Sequence, residues 1–383
     1  MTGELASVPR ARFSVAGFYF LNGAVFSGWY ARLPAIQDRL DLSAGQLGLA
    51  LFAAPVGLLC AQPAVGALAA RRGSRALVAV APLYFAAVVL PALAVDFGTL
   101  LIAVLLVGAA NGTLDIAMNA QGVAVERAAG KRVFNSLHAA FSFGALAGAS
   151  VAAGAAAAGV APLPHLAVCA LLGAALAASL APGLVPDTGH PEAPRLARPS
   201  RRLAAIGVVA FAALLAEGSV FDWSGVYLAR ETGAAAGLAP LGLAAFSLCM
   251  GLGRLGADGV AARIGSAATS RGGATLAAAG IALALAVGTP AAAIAGFALM
   301  GIGLAAVFPL ALRAAGLAED APGPALAAVS TVGYAGFLLG PPSIGALASA
   351  GTLRAALVIV PTLCLVAAAF SGHIGDRRRA HSG

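Results

Sequence analysis

Several side chains that bind protons or polar solutes sit inside otherwise apolar stretches of this chain. Asn111, Asp115 and Asn119 follow one another at i, i+4 and i+8, a spacing that stacks all three on one face of a helix. His138 enters the next apolar block about one and a half turns from its start, near the depth expected of Asp115 or Asn119. Glu217 and Asp222 interrupt a later block and are followed by Trp223, while Asn22 lies in the first. An ionisable group in such a segment costs several kcal/mol unless it is paired, hydrated or neutral, so by default it points to function.

The chemistry these types support is proton exchange and hydrogen bonding to a polar guest. Glu217 is the best placed to carry a proton, and Asp115 with His138 forms the second candidate, because an Asp–His pair can trade a proton for a substrate hydrogen bond. Trp223 could stack on a planar or sugar-like ring. A plainer reading stands beside each of these. Asp, Asn and His also tie helices together, Asp222 lies close enough to the segment end to be hydrated, and Trp223 and Trp29 suit an interfacial anchor. For His138 the packing role is favoured.

The elements that must position these groups are membrane helices. Of 383 residues 60% are hydrophobic and only 10% charged, with mean hydropathy +0.93. A soluble surface cannot be made from that composition. The apolar residues come in blocks of about 20, the length that crosses a bilayer as a helix. Twelve spans are expected: Phe13–Ala31, Gly45–Ala70, Ala76–Val95, Thr99–Val125, Val133–Ala158, Leu163–Leu184, Leu203–Ala229, Leu238–Ala262, Ala274–Val287, Ala291–Ala314, Gly323–Ala350 and Leu353–His373. The ninth and tenth are divided at Gly288-Thr289-Pro290, since the undivided run of about 41 residues would make a helix of about 60 Å. The first block lacks a convincing cleavage site and reads as an uncleaved span with Trp29, Tyr30 and Arg32 at its outer interface.

Of the 23 basic residues, 18 fall in loops on the side of the N-terminus, four on the other side, and Arg254 within span eight. The positive-inside rule then puts both termini in the cytoplasm of a cell whose inner membrane the chain spans. The formal charge of +8 suits anionic lipid headgroups. No stretch interleaves basic with aromatic residues as a nucleic-acid groove does, so no nucleic-acid partner is expected. Cys60, Cys169, Cys249 and Cys364 lie inside spans and read as small buried hydrophobes with neither disulfide nor metal spacing. There is no nucleophile elbow, zinc-protease motif or P-loop, so neither an enzyme nor a cofactor is expected.

The polar stretch 186–202 divides the spans six and six, giving bundles 1–185 and 203–383 joined by a linker. Two short loops echo each other at equivalent places in the halves. One runs Gly66-Ala67-Leu68-Ala69-Ala70-Arg71-Arg72-Gly73-Ser74-Arg75, and the other Gly253-Arg254-Leu255-Gly256-Ala257-Asp258-Gly259-Val260-Ala261-Ala262-Arg263. On these residues the chain resembles the major facilitator superfamily over nearly its whole length. The family loop pattern is matched by Gly66, Arg71, Gly73 and Arg75, with Ala70 where an acid is usual. The resemblance implies an all-α fold of twelve helices in two pseudo-symmetric six-helix bundles. It also implies that Asp258, Arg254 and Arg263 form cytoplasmic contacts of the conformational switch. The segments Gly28–Pro34, Leu114–Ala120, His138–Gly144 and Glu217–Ser224 are similar to bacterial members related to the fucose-permease branch.

The function implied is secondary transport of a small polar solute, a sugar or related metabolite, coupled to protons by a monomer in contact with lipid. Export of drug-like or antibiotic-like compounds and a non-transporting sensor or scaffold are the alternatives. The prolines at positions 341 and 342 are expected to disrupt span eleven most.

Overall fold

The computed structural model describes residues 2–78, 80–130, 133–185, 200–318 and 322–375. The expected linker therefore lies, for 186–199, outside the described residues. Helices account for the architecture, and no strand occurs among the described residues. In chain order they are α1 (Thr2–Tyr30), α2 (Leu33–Arg39), α3 (Ala44–Val78), α4 (Ala81–Ala87), α5 (Leu90–Leu93), α6 (Phe97–Ala129), α7 (Phe134–Ala157) and α8 (Pro162–Leu180). They continue as α9 (Arg201–Glu231), α10 (Leu241–Ile264), α11 (Ser266–Val287), α12 (Pro290–Leu304), α13 (Val307–Gly316), α14 (Pro322–Ala350), α15 (Leu353–Ala356) and α16 (Ile359–Phe370).

Ten segments among the described residues are long and apolar enough to cross a membrane. The two expected spans outside that set are helical but depart from the simple pattern. The helix α1 is long, yet it carries Ser14, Asn22 and Ser27 on buried positions, which lowers its apolar character. The segment Ala81–Leu93 is short because Pro82 and Pro91 each restart a helix in its first turn, giving α4 and α5.

Local signals set most of the boundaries. At the expected break between spans nine and ten, Gly288 (φ 67°) closes α11 and the Thr289 side chain accepts from the Ala292 amide to cap α12. Asp96 and Thr99 form a reciprocal capping box at the start of α6. The amide and hydroxyl of Thr99 hold the exposed Asp96 carboxyl below the usual carboxylate range. Span nine differs from expectation: its helix begins at Ser266, because the turn is made by Gly265 alone (φ 85°), and Arg271 is inside α11. The prolines 341 and 342 do not interrupt α14, which is continuous through both.

Close helix approach follows from small residues, as it must where lipid supplies no hydrophobic drive between helices. A β-carbon on Gly144 of α7 would stand 1.9 Å from the Phe20 carbonyl oxygen of α1, and one on Gly108 of α6 1.9 Å from the Ala54 carbonyl oxygen of α3. Neither clash can be relieved by turning a side chain. Gly144→Ala is therefore expected to cut the yield of monodisperse protein on size-exclusion chromatography, whereas Gly154→Ala, with nothing within 4 Å, leaves it unchanged.

The packing order repeats along the chain. Helix α1 packs on α7, α3 on α6, and α4 on α8; later α9 packs on α14, α10 on α12, and α11 on α16. Two further contacts, α7 with α10 and α3 with α14, join these sets. The ends carrying Arg75, Arg127, Arg201 and Arg263 form a basic end of the molecule.

At the opposite end the two sets meet tightly. A β-carbon on Gly48 of α3 would lie 2.5 Å from the Pro341 carbonyl of α14, and one on Gly45 2.6 Å from the Ser349 hydroxyl. Arg230 at the end of α9 pairs with Asp38 of α2 at 2.5 Å. An aromatic cluster of Phe26 and Tyr30 from α1 with Phe221 from α9, extended by Phe246 from α10, fills the seam between them.

Two expectations about exposure are corrected here. Trp29, Tyr30 and Arg32 are buried rather than interfacial: Arg32 is bonded to the Val160 and Ala152 carbonyls, Trp29 packs on Tyr30, and Tyr30 packs on Phe26 and Phe221. Of the cysteines, all free, only Cys364 is buried; Cys60 is exposed and Cys169 and Cys249 are half-buried, because their helices turn these faces outward.

Candidate functional site

The interior of the molecule holds one ion pair among the described residues. Arg254 of α10 donates from Nη2 to Glu217 Oε1 of α9 at 3.2 Å, and the two side chains are only 14% and 13% exposed. The other arm of the guanidinium crosses to α7. Arg254 Nη1 donates to Ser142 Oγ at 3.0 Å and to the His138 carbonyl oxygen at 3.3 Å. One cation therefore clasps a carboxylate on one side of the seam and the backbone of a helix on the other. The sequence places Arg254 within span eight, and the resemblance gives it a switch role with Asp258 and Arg263 at the cytoplasmic end. Here it points inward from one turn above Asp258, and Asp258 and Arg263 lie at the exposed basic end.

The Asn111–Asp115–Asn119 face is met by α1. Tyr19 Oη donates to Asn119 Oδ1 at 2.6 Å, Asn119 Nδ2 donates to the Asp115 carbonyl at 2.8 Å, and Asn22 Nδ2 approaches Met118 Sδ at 3.7 Å. Asn22 Oδ1, Asn111 Oδ1 and the Tyr84 hydroxyl are buried without a hydrogen-bond partner. Asp115 lies within electrostatic reach of the hydroxyls of Tyr19, Tyr84 and Tyr334, and Tyr334 is in reach of Glu217 as well. Counted at 1.5 Å per residue from the basic end, Asp115 lies about 21 Å along α6 and Glu217 about 24 Å along α9, so the two share a depth.

Tyr334 is 55% exposed although it faces both carboxylates. It thus stands in an open cleft between α6, α9 and α14, which the packed opposite end closes off. Asp115 and His138 are not joined by a hydrogen bond or ion pair. The His138 ring instead packs on Tyr19 at 5.3 Å and Phe134 at 5.9 Å between centroids. Asp222 is 6% exposed, without an ion pair, near the Tyr30 hydroxyl inside the aromatic seam rather than hydrated at a surface. Trp223 is fully buried, with its indole N–H unpartnered, so in this conformation it faces neither cleft nor interface.

In the first loop Gly73 makes the kink that ends the straight part of α3 (φ 73°, ψ 171°), Gly66 falls within that helix, and Arg71 and Arg75 are exposed. Ser74 accepts from Gln121 Nε2 at 2.8 Å, and Gln121 also bonds both backbone groups of Val185. Gln121, Ser142, Tyr19, Tyr84 and Tyr334 were not singled out from the sequence. The five tyrosines were a usable signal, since each hydroxyl inside a span needs a polar neighbour.

The profile described as the Major Facilitator Superfamily matches residues 15–312. The chain belongs to the major facilitator superfamily. That class consists of transporters rather than enzymes, and no metal-binding cluster occurs among the described residues. An uncharacterised transporter of this type from Yersinia pestis is 34% identical over 92% of each chain. The membrane protein MosC of Rhizobium meliloti is 34% identical over 93% of this chain and 88% of its own. Among solved structures, the nucleoside transporter NupG has TM-score 0.71 at 15% identity, covering 95% of this chain and 99% of that one. A bacterial homologue of the lysosomal transporter Spinster, inward-facing and occupied, has TM-score 0.71 at 16% identity, covering 95% and 96%. The Escherichia coli fucose:proton symporter has TM-score 0.61 at 15% identity, covering 95% and 98%. At those identities the likeness is one of fold. As a superfamily member the chain is a multi-pass membrane transporter for a small molecule in a lipid environment.

Proposed function

We propose that this superfamily member moves a small polar solute across the inner membrane in exchange or symport with protons, using the cleft between α6, α9 and α14. The observation that carries the reading is the Glu217–Arg254 pair, held across the seam by Ser142 and the His138 carbonyl. A proton arriving on Glu217 removes the charge that holds Arg254 and so weakens the α7–α10 clasp. Proton binding and helix movement are thereby linked, as gradient-driven transport requires. Asn22, Asn111, Asp115 and Asn119 supply hydrogen bonds to the solute, and His138, Asp222 and Trp223 shape the surrounding walls. A sugar-like metabolite suits that inventory, in keeping with the resemblance of four sequence segments to bacterial members related to the fucose-permease branch. Asp258, Arg263, Arg71 and Arg75 serve the switch contacts at the basic end.

In this reading α1 and the α4–α5 segment also cross the membrane, giving twelve spans in bundles 1–185 and 203–383. The repeated packing order supports that count, and the charge bias supports cytoplasmic termini. The closed end then faces outward and the cleft opens to the cytoplasm. An impermeant thiol reagent applied to whole cells should label Gly233→Cys and miss Arg195→Cys in a cysteine-free background; the reverse pattern overturns the orientation. The function itself is tested by uptake and efflux in proteoliposomes against a metabolite panel, with and without a pH gradient. Movement of apolar drug-like compounds alone, or of nothing, would defeat it.

A further inference from the structure

We infer that the closed end of the molecule carries a phospholipid site, with the lipid phosphate on Arg354 and an acyl chain in the groove between α11 and α16. The groove is a hollow of about 440 Å³ with Arg354 at its head and Ala282, Ala286, Val358 and Pro361 along its walls. The small side chains of Ala282 and Ala286 leave the space. Leu283, Val287, Val358 and Leu365 on the same elements are exposed, so this flank of the molecule faces lipid. Thr352 and Leu353 line a second hollow together with Arg230 and Ser43, which places Arg354 at the closed end, where the helices leave the membrane. Pro361 lies about 10 Å deeper.

Local structure fixes the guanidinium. The Thr352 hydroxyl accepts from the Ala355 amide at 3.1 Å and starts α15, which puts Arg354 in its first turn. From there Nε donates to the Leu285 carbonyl oxygen at 2.6 Å and Nη2 to that of Ala286 at 3.2 Å, capping the C-terminus of α11. Gly288 allows the close approach, since a β-carbon there would stand 2.5 Å from Nη2. Two donors thus hold the fork, and Nη1 has no hydrogen-bond partner among the described residues. Arg230 at the same end is paired with Asp38, but no described carboxylate forms an ion pair with Arg354. That includes Glu231, whose charge acts with that of Arg354 on the Tyr227 hydroxyl.

A fixed cation at headgroup depth above an apolar groove matches the two ends of a phospholipid. The phosphate accepts from Nη1, and the chain fills the hollow. A helix of another protein would fill the groove but leave Nη1 unpaired, and a free phosphate ion would pair Nη1 but leave the groove empty. A lipid of net negative charge is favoured over a zwitterionic one, because no acid partner offsets the guanidinium.

The test reconstitutes the full-length protein in phosphatidylcholine vesicles with a trace of phosphatidylglycerol bearing a photoreactive acyl chain, and maps the labelled peptides by mass spectrometry. Label should concentrate on 282–287 and 353–361. Photoreactive phosphatidylcholine should give about fivefold less there, the worth of one basic residue at an anionic surface. Arg354→Gln, which keeps one donor for the α11 carbonyls, should reduce the phosphatidylglycerol label by a similar factor. Ala282→Leu fills the groove without touching the guanidinium and should reduce the label from both lipids, so the test stands even if Arg354→Gln fails to fold. Inorganic phosphate should not compete. Equal labelling of the wild type by the two lipids, or label unchanged in either folded variant, overturns the inference. So does competition by inorganic phosphate, or a dimer cross-linked through 282–287 that shields the groove from lipid.

Discussion

Glu217→Gln is expected to abolish pH-driven accumulation while leaving solute exchange intact. The amide is nearly the shape of the carboxylic acid, and its oxygen can still accept from Arg254 Nη2, which now approaches Glu217 at 3.2 Å. The variant should therefore fold and reach the membrane. What it cannot do is take up or release a proton. A gradient of one pH unit supplies about 1.4 kcal/mol per proton, an accumulation ratio of about ten for one coupled proton. Wild-type proteoliposomes should approach that ratio for a transported solute, and the variant should settle near one. Counterflow, which returns the carrier loaded and need not discharge the proton, should continue in both. Normal accumulation by Glu217→Gln would make Glu217 a packing residue, and Asp115→Asn would then be the next variant to assay for coupling.

Arg254→Ala should be the more damaging change to stability. It leaves the Glu217 carboxylate, 13% exposed, without its cation and frees Ser142 and the His138 carbonyl on α7. Breaking a fully buried pair by removing one partner costs about 3–5 kcal/mol; a cleft open to water softens that to about 2 kcal/mol. The double variant Glu217→Gln/Arg254→Ala should recover part of the loss, with an interaction energy of about 1–2 kcal/mol. Arg254→Lys should rescue poorly, because a single ammonium cannot reach both sides of the seam as the forked guanidinium does. Unfolding midpoints of the four proteins in detergent measure the cycle. Additive effects would show that the pair is incidental to the seam.

Much of this was written in local sequence. Apolar blocks in a polar-poor chain dictate membrane helices, since backbone groups in lipid must be satisfied within the segment. The Gly288-Thr289-Pro290 break is legible for the same local reason: a left-handed C-cap, a hydroxyl N-cap and a proline in the first turn each act within a few residues. The i, i+4, i+8 spacing of Asn111, Asp115 and Asn119 assigns them one face of a helix, and that face does meet α1 through Tyr19 and Asn22. The polar content of α1 and the prolines of α4 and α5 depart from a plain apolar run, so these two segments fall outside the ten that are long and apolar enough to span by composition alone.

Partner choice across the fold was decided only by tertiary structure. Arg254 sits one turn from Asp258 in span eight, and the resemblance gives both a role in cytoplasmic switch contacts. The crossing of α7 and α10 instead brings Ser142 and His138 beside Arg254, and α9 brings Glu217. Likewise Asp115 and His138, expected at a similar depth, are not joined by a hydrogen bond, and Trp223 is fully buried instead of at an interface. Helical periodicity states which residues share a face. Which helix covers that face depends on packing between segments more than a hundred residues apart, for which one chain's local pattern carries no signal.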